Sequence, residues 1–263
     1  MQRGNAKRTP LRDPPLRLPG QSSDAELTRL FDEKILLYLV APVLMVLLAA
    51  LEWWRAWLPS PPHPRLLTII ALVVVVFSVR RIQVLMKQAR AIGLGIRGEK
   101  AIGQLLETFR ADGYQVFHDI PCESGGKKFN IDHVIVGPQG MFTIETKTIS
   151  KPMQGSVEVV FDGEKISVNG WTPERDPVVQ AQAESRWLHD MLQGATGRSF
   201  WIQPVIVYPG WFVRETAQES RVWVLNPDRL RKKIQFQPQH LKPEDIALIT
   251  DRMGVYVRNY EKS

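Results

Sequence analysis

The sequence predicts an α/β fold, a central mixed β-sheet flanked by helices, preceded by a two-helix transmembrane hairpin. Three observations carry that expectation. Two long uncharged apolar runs lie near the start, the basic excess is confined to the residues around them, and the later order of patterns is helix, β-meander, helix, strand, strand, helix.

The first run, Ile35 to Leu51, has no charge and is followed by Trp53, Trp54 and Trp57, whose amphipathic rings suit a headgroup interface. Pro42 inside it is tolerable in a membrane helix. The second run, Leu66 to Val79, is shorter than the roughly 20 residues a span needs. It reaches that length when Arg80 and Arg81 snorkel and Ile82, Val84, Leu85 and Met86 extend it. The expected hairpin is 24–90, with spans at about 35–57 and 66–86. Its competitor is one anchor plus an interfacial or core helix.

Charge supports the hairpin. Of 34 Lys/Arg and 27 Asp/Glu, 13 and 6 fall up to Ile92, and 21 and 21 follow, so the net +7 belongs wholly to the N-terminal third. Basicity here reports membrane topology rather than a DNA footprint. Arg3, Lys7, Arg8, Arg12, Arg17, Arg29 and Lys34 precede the first run, Arg55 and Arg65 lie in the connection, and Arg80, Arg81, Lys87 and Arg90 follow the second. That distribution predicts a multi-pass protein of the inner (cytoplasmic) membrane, with the N-terminus and C-terminal domain in the cytoplasm and the Pro59–Pro64 turn outside. The first apolar stretch begins too late for a cleaved signal peptide. Residues 1–23, rich in Pro, Arg, Gly and Gln, are expected to form a disordered basic tail. A single cysteine, Cys122, excludes a disulfide scaffold and a thiolate metal site.

Residues 91–263 form the expected soluble domain. Ile102, Leu105, Leu106 and Phe109 share one face of a helix that ends near Gly113. Strands are expected at Val116–Ile120, Ile131–Val136 and Met141–Thr148, then as a Val157–Phe161/Lys165–Val168 hairpin around Asp162-Gly163. Asp176-Pro177 reads as the cap and first position of a helix reaching about Gln193. Strands at Pro204–Tyr208 and Val222–Leu225 follow, and Asn226-Pro227 and Lys242-Pro243 begin two more helices.

The most informative passage is Asn130 to Lys147, NIDHVIVGPQGMFTIETK. A turn at Gly137-Pro138-Gln139-Gly140 sets the register and brings Asp132 opposite Glu145, with Lys147 on the same face. Ile131, Ile135, Phe142 and Ile144 then form a core-facing set. Two carboxylates side by side repel unless something positive lies between them, and a divalent cation serves best, with Lys147 as a weaker counter-charge. Glu99 lies one turn before Ile102 on the buried stripe of its helix; an acid favoured near a helix N-terminus is the competing reading.

Gly98-Glu99, the block IDHVIVGPQGMF, then ETK, then DPVVQ at Asp176–Gln180 together resemble the nuclease-related domain (NERD) family of the PD-(D/E)XK restriction-endonuclease-like superfamily, over roughly Ile92 to Tyr208. The resemblance implies a metal-dependent nuclease that hydrolyses phosphodiester bonds of DNA or RNA. By matching positions, Asp132, Glu145 and the carbonyl of Thr146 would bind Mg²⁺ (or Mn²⁺). Lys147 would orient or help deprotonate water, Glu99 would reach the metal through water, and Gln180 would position Lys147 or the substrate. Asp176 stands where the family often has Asn, a near-equivalent helix cap. Two rivals remain: a module that binds nucleic acid or protein at the membrane without cutting, and a scaffold subunit of a larger membrane assembly.

Other candidates rank lower. Asp119 is a rival metal acid with no facing partner in that register. His133 reads as a packed histidine, and His63, His118, His189 and His240 show no ligand spacing. Trp171, Trp187, Trp201, Trp211 and Trp223 read mostly as core. Arg229, Arg231, Lys232 and Lys233 read as a solvated helix face or a contact with lipid headgroups.

Overall fold

The computed structural model describes residues 16–55, 57, 63–151, 158–217 and 220–260. Most of the expected tail, the tip of the Pro59–Pro64 turn and Val157 lie outside the described residues. The chain divides into two units, Ser22–Ile96 and a second made of Met1–Gln21 with Arg97–Ser263.

The first unit is helical. α1 (Gln21–Arg29) passes through a wide turn at Leu30–Ile35 into α2 (Leu36–Arg55), and α3 (Pro64–Glu107) returns alongside them. Cross-contacts pair early residues with late ones: Trp53 Nε1 donates to Thr68 Oγ1 at 2.9 Å, Tyr38 meets Phe77 edge-on, and Leu30 and Ile35 pack with Leu85 and Ala89. The helices are therefore antiparallel. Their outer faces expose Leu37, Val43, Leu44, Ile69, Leu72, Val73 and Phe77. Only 11% and 17% of the two apolar windows are buried, in contrast to the mostly buried core helix of a soluble protein. Both are long and apolar enough to cross a membrane.

The second unit is the α/β domain. Its main sheet has the order β1-β2-β3-β6-β8, built from β1 (Gln115–Ser124), β2 (Lys127–Gly137), β3 (Gly140–Thr146), β6 (Ile202–Val207) and β8 (Trp223–Leu225). The first three pair antiparallel and the last three parallel, giving a mixed sheet. Ile102, Leu106 and Phe109 cover one face together with Leu230 and Ile234 of α5 (Pro227–Gln235). The other face is covered by Leu188 and Leu192 of α4 (Pro177–Thr196) and by Ile249, Met253 and Val257 of α6 (Pro243–Tyr260). Burial on both faces explains why these strands read as nearly continuous apolar runs.

Local signals set the boundaries. Asp176 accepts from the Val178 and Val179 N–H groups, Asn226 accepts from Arg229 N–H, and proline follows each as the first helical residue. Gly113, at φ 86°, closes the 3-10 turn Thr108–Asp112.

Two features of the sheets depart from expectation. A second, three-stranded sheet, β5-β4-β7, joins β4 (Glu158–Phe161) and β5 (Ile166–Val168) to β7 (Phe212–Glu215), a strand the sequence reading missed. Ile131 packs in the α4/α6 cluster, apart from Ile135, Phe142 and Ile144. The reason is a lapse in pairing: β1 and β2 match His118 with His133 and Ile120 with Ile131, skipping Asp119 opposite Asp132, and Asp119 has φ 49°.

Candidate active site

The β2–β3 hairpin turns where expected, with Gly137 paired to Gly140 and the register running to His133–Ile144. Glycine is required at 137, because a Cβ there would lie 2.2 Å from the Tyr114 ring, whose hydroxyl bonds Gln139. The regular ladder stops one step short of Asp132 and Glu145. Instead of a backbone carbonyl, Asp132 Oδ2 takes the Thr146 N–H at 2.8 Å, while the next amide, Lys147 N–H, bonds Val207 O. The strands part there, and the acids occupy the gap.

Around that gap the side chains form a connected cluster. Lys147 Nζ donates to Glu145 Oε1 at 2.6 Å and to Gln180 Oε1 at 2.8 Å. Gln180 Nε2 donates to Glu145 Oε1 and to Glu184 Oε1, both at 2.8 Å. Asp132, Glu145 and Glu184 are buried, yet Glu145 Oε2 and Glu184 Oε2 have no hydrogen-bond partner among the described residues. Glu99 completes the set by its field on Asp132. Gly98 lets the helix approach closely, since a Cβ there would overlap Thr148 Oγ1 at 1.7 Å.

The electrostatics follow from three buried acids and one ammonium. Burial, then Glu145 and Glu99, raises the Asp132 carboxyl well above the usual carboxylate range, against the pull of the Thr146 amide and Lys147. Burial and the charges of Glu145 and Asp132 raise Glu184 likewise. At Lys147 burial works downward, but Glu145, Asp132 and Glu184 outweigh it and the ammonium is held above its ordinary value. Tyr208, whose buried hydroxyl also lacks a partner, is pushed up by burial and then by Glu145. The site is short of positive charge.

Residues 94–209 match the family model of the nuclease-related domain. The chain carries a nuclease-related domain. Neither curated proteins nor solved structures give a match. The nuclease-related stretch contains Glu99, Asp132, Glu145, Thr146, Lys147 and Gln180, the six positions expected from sequence, and the fold brings their side chains or backbone to one end of β3.

Within the nuclease-related domain, Glu184 was missed. Its signal was present: it falls on the buried stripe of α4 with Val178, Ala181, Ser185, Leu188 and Leu192, one turn after Gln180. A carboxylate on such a stripe needs a partner. The lower-ranked candidates are accounted for elsewhere. Asp119 takes Asn130 Nδ2 at 2.8 Å and Arg17 at 2.9 Å. His133 is fully buried against His118, Nδ1 to Nδ1 at 2.9 Å, and burial and then His118 lower its pKa to about 3. Arg231 lies over the Phe109 ring and Lys233 over Trp223, which leaves Arg229 and Lys232 as the exposed part of the basic cluster. Trp211 and Trp223 are buried and Trp187 half-buried, whereas Trp171 and Trp201 are exposed.

Among the described residues no group of three or more His, Cys, Asp or Glu side chains forms a ready metal cage. A donor set of two carboxylates and a backbone carbonyl, completed by solvent, is what Mg²⁺ ordinarily accepts, because it retains several waters. The partnerless Glu145 oxygen and the excess of acids over cations fit that ion.

Proposed function

We propose that this chain is a membrane-anchored, Mg²⁺-dependent (or Mn²⁺-dependent) nuclease that hydrolyses phosphodiester bonds of DNA or RNA. The observation carrying the reading is the Asp132/Glu145/Lys147/Gln180 cluster at the end of a β-hairpin in a nuclease-related domain. Asp132, Glu145 and the Thr146 carbonyl would hold the cation, which when bound polarises the scissile phosphate and lowers the pKa of water.

The chain's own groups have separable tasks. Lys147, kept charged by its acidic neighbours, donates hydrogen bonds to a phosphate oxygen or to the attacking water; its raised pKa favours a donor over a general base. Gln180 fixes Lys147 through its carbonyl and Glu145 through its amide nitrogen, so the ammonium and the acid keep their spacing. Glu99 adds negative field at Asp132 and sharpens its demand for a cation.

The anchoring half of the reading is supported by apolar faces that are exposed rather than buried. The basic excess around them favours cytoplasmic placement of both ends.

The test is cleavage of plasmid DNA and of structured RNA by the full-length protein in detergent, with and without Mg²⁺, beside Asp132→Ala. Metal-dependent cleavage lost in the variant is expected. Identical behaviour of the two proteins would leave a membrane-tethered module that binds nucleic acid or protein without cutting. Retention in the membrane pellet after alkaline carbonate extraction tests the anchor.

A further inference from the structure

A short segment ahead of the first apolar helix, Leu16–Pro19, is part of the α/β unit. It is seated, not draped. Arg17 Nη1 lies 2.9 Å from Asp119 Oδ2 and donates to the Asp119 carbonyl at 3.1 Å, with the arginine side chain 15% exposed and the aspartate 1%. Pro19 lies against Gly103, where a Cβ would come within 2.5 Å of Pro19 Cγ. The segment also lines a cavity of about 360 Å³ with Glu107, Phe117 and His118.

Asp119 occupies an unusual position. Its φ of 49° is left-handed, a conformation that Asp and Asn tolerate better than other non-glycine residues. It stands across from Asp132 at the one step where the β1–β2 pairing lapses between His118–His133 and Ile120–Ile131. In a regular ladder facing side chains share a face, and Asp119 would add a carboxylate beside Asp132. The turned backbone delivers it to Arg17 and Asn130 instead.

We propose that Arg17 is a positioning residue for the acid cluster: by binding both the carboxylate and the carbonyl of Asp119 it holds β1 in the turned conformation and fixes β2 at Asp132. A buried carboxylate stripped of its arginine is costly, and both contacts are made by one nitrogen, Arg17 Nη1, which ties the Asp119 side chain to its own backbone carbonyl. The N-terminal segment is thereby a working part of the site, through Asp119, although it precedes the apolar helices in sequence. The catalytic consequence rests on the nuclease reading above; the structural consequence does not.

The test uses the full-length protein in detergent or nanodiscs, with Arg17→Ala, Arg17→Lys, Asp119→Asn and the Arg17→Ala/Asp119→Asn pair. Asn at 119 retains tolerance for left-handed backbone while removing the charge that Arg17 answers. Hydrogen exchange is read at Ile131–His133 in β2 and, as a control, at Ile202–Val207 in β6. Cleavage is read against Mg²⁺ concentration. Arg17→Ala is expected to speed exchange in β2 but not β6 and to slow cleavage about tenfold, with Arg17→Lys intermediate and the pair no worse than Asp119→Asn alone. Unchanged exchange in Arg17→Ala, or effects of the two substitutions that simply add, would overturn the proposal. If Arg17→Ala does not fold, the same cycle run with Arg17→Lys decides between coupled and additive outcomes. If the wild type cleaves nothing, the nuclease reading fails while the exchange comparison still decides the role of Arg17.

Discussion

Leu44 in α2 and Leu106 near the end of α3 are the same residue type in helices of one chain, yet one is 55% exposed and the other 0%. The contrast extends to polar groups. Among the described residues of Ser22–Ile96 the buried polar side chain is Ser78, whereas the α/β unit buries Asp119, Asp132, Glu145, Glu184 and Asp245. In one unit apolar atoms face outward and no charge is buried; in the other apolar atoms face inward and acids are enclosed. An apolar exterior requires an apolar surrounding, and enclosed acids require partners, so the two units answer different physical demands. On the proposed reading, anchoring belongs to the first and chemistry to the second.

The widest test of that contrast is one substitution made in both units. Leu106→Ala removes a fully buried side chain from the sheet-facing cluster and should cost about 2–5 kcal/mol in thermal or denaturant unfolding. Leu44→Ala, on an exposed face, should change stability by less than about 0.5 kcal/mol. Equal costs would break the comparison. In the acid cluster, Lys147→Ala should slow Mg²⁺-dependent cleavage by on the order of 10²–10³-fold with little loss of melting temperature, read by kinetics beside calorimetry. In the hairpin, Leu44→Arg should make membrane insertion about 2.5–3.5 kcal/mol less favourable, visible as loss from the carbonate-resistant pellet.

A smaller effect sharpens the comparison through pH. Asp132 and Glu184 both have carboxyls raised above the ordinary carboxylate range. The folded chain therefore binds more protons than the unfolded chain between the ordinary and the raised values, and without metal its stability should fall as pH rises through that window. Asp132→Asn should flatten the fall, and Mg²⁺ should offset it at neutral pH; a melting temperature insensitive to all three would show that these acids are not under strain.

Much of this was legible because it was local. The Gly137–Gly140 turn and the alternation on either side fix one register, and with it the approach of Asp132 to Glu145. Asp176-Pro177 and Asn226-Pro227 announce helices because cap and φ restriction act within a few residues. What stayed hidden depends on distant partners. β7 is four residues whose pairing with β4 is the reason it is a strand, and Glu184, although its place on the buried stripe of α4 was readable, gains its partners only from the fold. The Arg17–Asp119 pair joins residues 102 positions apart, with no motif to link them. Glu99 acts on Asp132 through its charge, from a position set by its helical stripe rather than by its own identity.

That long-range pair also bears on how the chain is threaded. Arg17 comes before both apolar helices and Asp119 after both, and an ion pair 2.9 Å long cannot reach across a bilayer. If the chain traverses the membrane, it must do so an even number of times. On the proposed anchored reading, the count of crossings is thus tied to a single guanidinium, and an insertion error at either helix would be felt as a missing strut inside the folded domain.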